Sequence, residues 1–148
     1  MIEFMEINQN QQEQLSLFAQ KNGIKFVVLF GSQAKENARE DSDFDIAVLT
    51  TPEKDIKANM DNYNNILFGL SEILKIPDYK TDLTNLNRAN ILLGHEVVFG
   101  GKLIYGNENE YEEFKAFVFR EYIDAKPLFD LEDFLVRKKL NLLKQAIG

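Results

Sequence analysis

Two aspartates separated by one residue, Asp43 and Asp45, follow a Gly31-Ser32 pair after ten intervening residues. On a strand, side chains alternate between faces, so both carboxylates project together while Phe44 and Ile46 point the other way. Two like charges held side by side fit a site where a divalent cation neutralises them. Oxygen donors of this kind suit Mg²⁺ or Mn²⁺. Gly31 removes a side chain where the backbone turns, which lets amide groups approach a phosphate. Ser32 adds a hydroxyl donor, and a helix beginning at Gln33 would aim its free N–H groups at the same anion. A two-metal site needs a further carboxylate from a neighbouring strand. Asp82, in Lys80-Thr81-Asp82-Leu83-Thr84, is the candidate, with Asp78 the alternative if the strand register differs. Lys35 and Arg39 lie in the intervening segment as candidate phosphate ligands. Arg39 has a second open role, pairing with Asp41 to close the turn.

These groups need strands to hold them, and the hydrophobic pattern supplies them. Residues 24–30 form a β-branched and aromatic run ending at Gly31, the pattern of a buried strand. A helix over 7–22 precedes it, stopped by Gly23. Residues 32–37 read as a short helix, 39–42 as a polar turn and 43–49 as a second strand. Ile56, Met60, Tyr63, Leu67, Leu70 and Leu74 recur at helical steps, and Pro77 ends that helix. A third strand is expected over 79–86, a helix over 88–98, and a short strand over 102–105 after Gly100-Gly101. The C-terminal part, 107–147, reads as two helices separated by Pro127, the first with a stripe of Tyr111, Phe114, Val118 and Tyr122. The expectation is one α+β domain spanning 1–148, a small mixed sheet backed by helices with a helical C-terminal part.

Composition narrows the function classes. The formal net charge of the 148 residues is −7, which disfavours long DNA or RNA as a partner. Small nucleotides stay compatible, because bound Mg²⁺ would supply the missing positive charge. No apolar run approaches the roughly 20 residues needed to cross a bilayer. The polar, Gln/Asn-rich stretch 1–13 does not read as a signal peptide. Cysteine is absent, which removes disulfides and thiolate chemistry. A cytoplasmic location is expected.

The Gly31-Ser32 pair, the ten-residue interval and Asp43-Phe44-Asp45, with Ala38-Arg39 ahead of Asp41-Ser42-Asp43, closely resemble the minimal nucleotidyltransferase (MNT) proteins of the polymerase-beta superfamily. The resemblance runs on through 82–86, 100–105 and 120–127, and so covers the chain from about residue 24 onward. It implies the polymerase-beta-like nucleotidyltransferase fold. It also implies that Gly31 and Ser32 hold the triphosphate of an ATP donor. Asp43 and Asp45 would bind two Mg²⁺ ions, and Asp82 would bind the catalytic one and help activate the acceptor. The reaction is then an in-line attack on the α-phosphorus with pyrophosphate leaving. Many members carry Arg-Gly where this chain has Lys35-Glu36; lysine keeps the charge but loses the bidentate fork, and Glu36 adds a negative charge near the phosphates.

Members of this size are commonly antitoxins that silence a HEPN-family RNase by adding AMP to a toxin tyrosine. The resemblance therefore implies a HEPN toxin as acceptor and hetero-oligomer partner. Two other readings stay open: a nucleotidyltransferase acting on a small molecule, as aminoglycoside-modifying enzymes do, and a non-catalytic antitoxin that inhibits by contact alone. The remaining conspicuous residues read as structural. His95, the only histidine, falls on an aliphatic helix; the Tyr111 stripe reads as core, and Arg137-Lys138-Lys139 as a solvated face near a helix C-terminus.

Overall fold

The computed structural model describes residues 7–31, 43–54 and 60–147. Helix α1, Gln9–Asn22, begins at a reciprocal cap: the Gln11 amide donates to Asn8 Oδ1 at 2.8 Å, and the Asn8 amide to Gln11 Oε1 at 3.1 Å. It ends at Gly23, whose φ of 65° is the left-handed conformation that glycine adopts without steric cost. Strand β1, Ile24–Phe30, follows at once, and β2, Phe44–Thr50, lies antiparallel to it. After a 3₁₀ turn at Pro52–Lys54, helix α2, Met60–Leu74, carries the chain back to β3, Thr81–Asn85, which runs parallel to β2. Helix α3, Ile91–Gly100, is capped by Asn90 and leads into β4, Lys102–Tyr105, antiparallel to β1. The sheet order is β3-β2-β1-β4, a mixed sheet as the sequence implies.

Both faces of the sheet are covered. Val27, Leu29, Ile46, Val48 and Leu83 face α1 and α2, packing with Leu15, Ile66 and Leu70. The alternate residues Phe26, Val28, Phe30 and Ala47 face α3 and the start of the last helix, packing with Val97, Val98, Tyr111 and Val118. Burial on both sides is why β1 reads as an almost unbroken apolar run instead of an alternating one. At one end of the sheet, Asn87 extends the ladder: its side-chain amide donates to the Thr50 carbonyl at 2.8 Å, and its oxygen accepts from the Thr50 amide at 3.0 Å.

The C-terminal part departs from expectation. One helix, α4, runs from Glu108 to Ile147 with Pro127 inside it. Proline withholds one N–H and crowds the carbonyl four residues earlier, usually at a cost of about 3 kcal/mol in a helix interior. Here that carbonyl belongs to Ile123, a residue 47% exposed, so water can take over the vacant acceptor. The helix therefore continues past the proline, tied on either side by Asn107 at its N-cap and by Lys126 bonded to Asp130 at 3.0 Å. The short helix expected at 32–37 and the turn at 39–42 lie outside the described residues, as does the first turn expected of α2 around Ile56.

Candidate active site

Register builds the site. Phe30 is the Cα partner of Asp45 across β1 and β2, and Asp45 is the partner of Asp82 across β2 and β3. Residues opposite one another in a sheet share a face. Asp45 and Asp82 therefore stand side by side on the face that α3 covers, with Asp43 two positions earlier on the same side. Phe44 packs with the opposite core, as alternation requires. Asp78, the alternative third carboxylate, falls in the exposed 3₁₀ turn Asp78–Lys80 that precedes β3 and has no register partner on β2.

Gly31 meets the Asp45 carboxylate directly. Its φ is 76°, and a Cβ added there would overlap Asp45 Oδ2. Two independent requirements thus select glycine: a left-handed backbone and room for the aspartate against its Cα. Asp43 is exposed and Asp45 half-buried. The Asp45 carboxyl is pushed above its ordinary value of 3.8, first by burial and then by the negative charges of Asp82, Asp43 and Glu96. Glu96 is thereby a fourth acid facing the site. It projects from α3, an element that the Asp-x-Asp spacing says nothing about, and only the packing of α3 over this sheet face brings it in.

Mutual repulsion among oxygen donors is the condition a divalent cation relieves, so the donor set fits Mg²⁺. Among the described residues no three metal-ligating side chains already converge as a cage. The sheet fixes their backbone positions, and side-chain rotation would have to complete the ligation. Gly31 is placed beside these acids, while Ser32, Lys35 and Arg39 lie outside the described residues. His95 is stacked between Tyr122 at 3.9 Å and Phe99 at 4.7 Å, a packing role consistent with its reading as structural. Tyr111 and Val118 are buried against Phe26 and its neighbours with Phe114 packed beside them, so these three are core, while Tyr122 is half-buried against His95. A concavity of about 600 Å³ lies at the other end of the sheet, between α1 and β4, lined by Gln12, Lys25, Tyr105 and Glu108 among others. It contains none of the acids described above.

Residues 13–110 match the family described as polymerase beta, nucleotidyltransferase. The chain is also 35% identical over 126 residues to the protein adenylyltransferase MntA of Aphanizomenon flos-aquae, covering 77% of this chain and 82% of that one. The chain belongs to the polymerase beta nucleotidyltransferase family. Solved structures share the nucleotidyltransferase fold. A toxin–antitoxin complex with AMP-PNP superposes with a TM-score of 0.61 at 23% identity, covering 84% of this chain and 98% of that one. The tri-AMPylated Shewanella oneidensis HEPN toxin in complex with MNT antitoxin gives 0.58 at 24%, covering 86% and 98%. Among the described residues no helix is long and apolar enough to cross a membrane.

Proposed function

We propose that this nucleotidyltransferase moves AMP from ATP onto a tyrosine hydroxyl of a cognate HEPN-family toxin and so acts as its antitoxin. The observation that carries the reading is the Asp45–Asp82 register beside Gly31, in a chain 35% identical to a protein adenylyltransferase. The solved complexes of an MNT antitoxin with an AMPylated HEPN toxin, and of a toxin–antitoxin pair with AMP-PNP, support the same donor and the same kind of acceptor. The whole chain would work as one domain in the cytoplasm, in a hetero-oligomer with the toxin.

In this reading Asp43 and Asp45 would hold two Mg²⁺ ions, with Asp82 as a further ligand. When bound, the ions withdraw charge from the reacting phosphate and from the oxygens that enter and leave. Gly31 and Ser32 receive the triphosphate through backbone amides and a hydroxyl, with Lys35 and Arg39 neutralising its outer charges. Asp82, which is exposed, would orient the tyrosine hydroxyl and take its proton. The tyrosine oxygen bonds to the α-phosphorus as the α–β bridging bond breaks, and pyrophosphate carries away the electron pair. Holding both reactants in line supplies much of the acceleration.

Intact mass spectrometry of the cognate toxin, incubated with this protein, ATP and Mg²⁺, tests the reading. The expected result is a gain of one or more AMP masses that disappears with Asp43→Ala. A toxin that is neutralised without gaining mass would overturn it in favour of inhibition by contact. Mass gain on an aminoglycoside-like compound, with none on the toxin, would overturn it in favour of a small-molecule transferase.

A further inference from the structure

Beyond Pro127, α4 leaves the body of the protein: of residues 128–147, all but the half-buried Phe129 are exposed. This stretch is nonetheless rich in large apolar side chains, and their spacing is regular. Leu128, Leu135 and Leu142 recur every seven residues, and Phe129, Val136 and Leu143 form a second row with the same repeat. At about 100° per residue the two rows bound one broad face, while Asp130, Arg137 and Lys144 point to the opposite side. A helix of about 20 residues is roughly 30 Å long, and an apolar face of that length normally has a partner.

The charges identify the partner. Glu132 and Lys139 lie between the two apolar rows, seven residues apart, and neither pairs with another described residue. The acidic residues of this stretch, Asp130, Glu132 and Asp133, all precede its basic ones, Arg137, Lys138, Lys139 and Lys144. A surface shaped for an unrelated chain has no reason to complement itself, yet this one does. We propose that the face is covered by a second copy of the same helix, packed antiparallel about a two-fold axis between Leu135 and Val136. That axis sets Glu132 against the partner's Lys139 and Lys139 against the partner's Glu132, so the contact is made twice. It also lays each acidic half along a basic half. A parallel pair would instead set glutamate on glutamate and lysine on lysine. Leu128 then packs near the partner's Leu143. This pairing goes beyond the transferase reading and does not depend on it.

Sedimentation velocity of the full chain, purified without any toxin, tests the pairing, with circular dichroism to check that each variant is folded. The wild-type chain is expected to be a dimer at tens of micromolar. Glu132→Lys alone and Lys139→Glu alone should each weaken dimerisation at least tenfold, because each places like charges together at both contacts. An equimolar mixture of those two variants should dimerise again, since every contact then joins a lysine to a glutamate. The double variant, with both changes in one chain, should also dimerise. A monomeric wild type, single variants that dimerise as well as wild type, or a mixture that stays monomeric would overturn the proposal. A wild type that is monomeric alone, with its 128–147 amides protected from exchange only when toxin is added, would assign the face to the toxin instead.

Discussion

The two ends of the β1–β2 pair are built on opposite principles. At the Ile24–Thr50 end the polar groups are satisfied: Asn87 exchanges two hydrogen bonds with the Thr50 backbone and accepts a third from its hydroxyl, and the Thr51 amide donates to the Gly23 carbonyl at 2.8 Å. At the Phe30–Asp45 end, Asp45 lies against a glycine in a left-handed conformation, and its burial compounds the repulsion from Asp82, Asp43 and Glu96. One end contributes stability, and the other holds an arrangement that stability alone would not select. Strain and like charge concentrate where a ligand is to supply what the protein lacks. The contrast implies that substitutions at the two ends move stability and activity in different proportions.

The largest separation is expected from Asp45→Asn. Transfer should fall by about a thousandfold or more if Asp45 is a metal ligand as proposed, since losing one would remove several kcal/mol of transition-state stabilisation. The metal-free protein should melt no lower than wild type, because a repelled charge has gone. The pH dependence follows in sign. A carboxyl whose folded pKa lies above the ordinary 3.8 binds its proton more tightly when folded. Its contribution is therefore fully present below that value and is lost as pH rises through the folded pKa. Thermal melts in EDTA should show this acid-side gain in wild type and a smaller one in Asp45→Asn; equal slopes would remove the charge cluster from the account.

Gly31→Ala should damage both properties. The left-handed backbone costs an L-residue roughly 1–2 kcal/mol, and the new methyl must also displace Asp45, so transfer should drop with the melting temperature. At the satisfied end, Asn87→Ala should cost about 1–3 kcal/mol in a urea titration by stranding the Thr50 amide and carbonyl. Transfer per folded molecule should stay at the wild-type level, and a large loss of activity there would break the contrast between the ends. The smallest effect is expected at Tyr111, whose buried hydroxyl finds no partner among the described residues and whose pKa is pushed up to about 12 by burial. Tyr111→Phe should change stability by less than about 1 kcal/mol at neutral pH, since no hydrogen bond is lost. Stability linked to the neutral phenol is intact below pH 10 and is lost as pH rises towards 12, so the variant should resist alkaline unfolding better than wild type.

Much of this was legible in the residues because it depends on local period. The apolar run up to Gly31, the alternation around Asp43 and Asp45 and the strand containing Asp82 each follow from neighbours in the chain. What required the structure depends on contacts between distant segments. Asp82 faces Asp45, and Asp78 does not, only because β2 and β3 adopt one parallel register. Glu96 joins the acids through the packing of α3, with no trace in the motif. Pro127 misleads for a different reason: the rule that proline ends a helix weighs a local cost, and in α4 residues on both sides are strong enough helix formers to absorb it. The path from Gly31 to Asp43, where Ser32, Lys35 and Arg39 fall, belongs to the sequence reading alone.

The parallel joining of β3 to β2 also has a consequence in time. Strands β1 and β2 are close in the chain, whereas Asn87 must find Thr50 across 37 residues of chain that include α2. Loop closure costs more entropy as the loop lengthens, and non-local strand pairing is correspondingly slow. Two of the acids are therefore in place before the third can arrive. A chain that has formed only its β1–β2 pair already looks half folded to a spectroscopist, yet it has nothing at the position of Asp82. The appearance of transferase activity should lag behind the recovery of secondary structure during refolding, so that catalysis itself serves as the clock for the last strand.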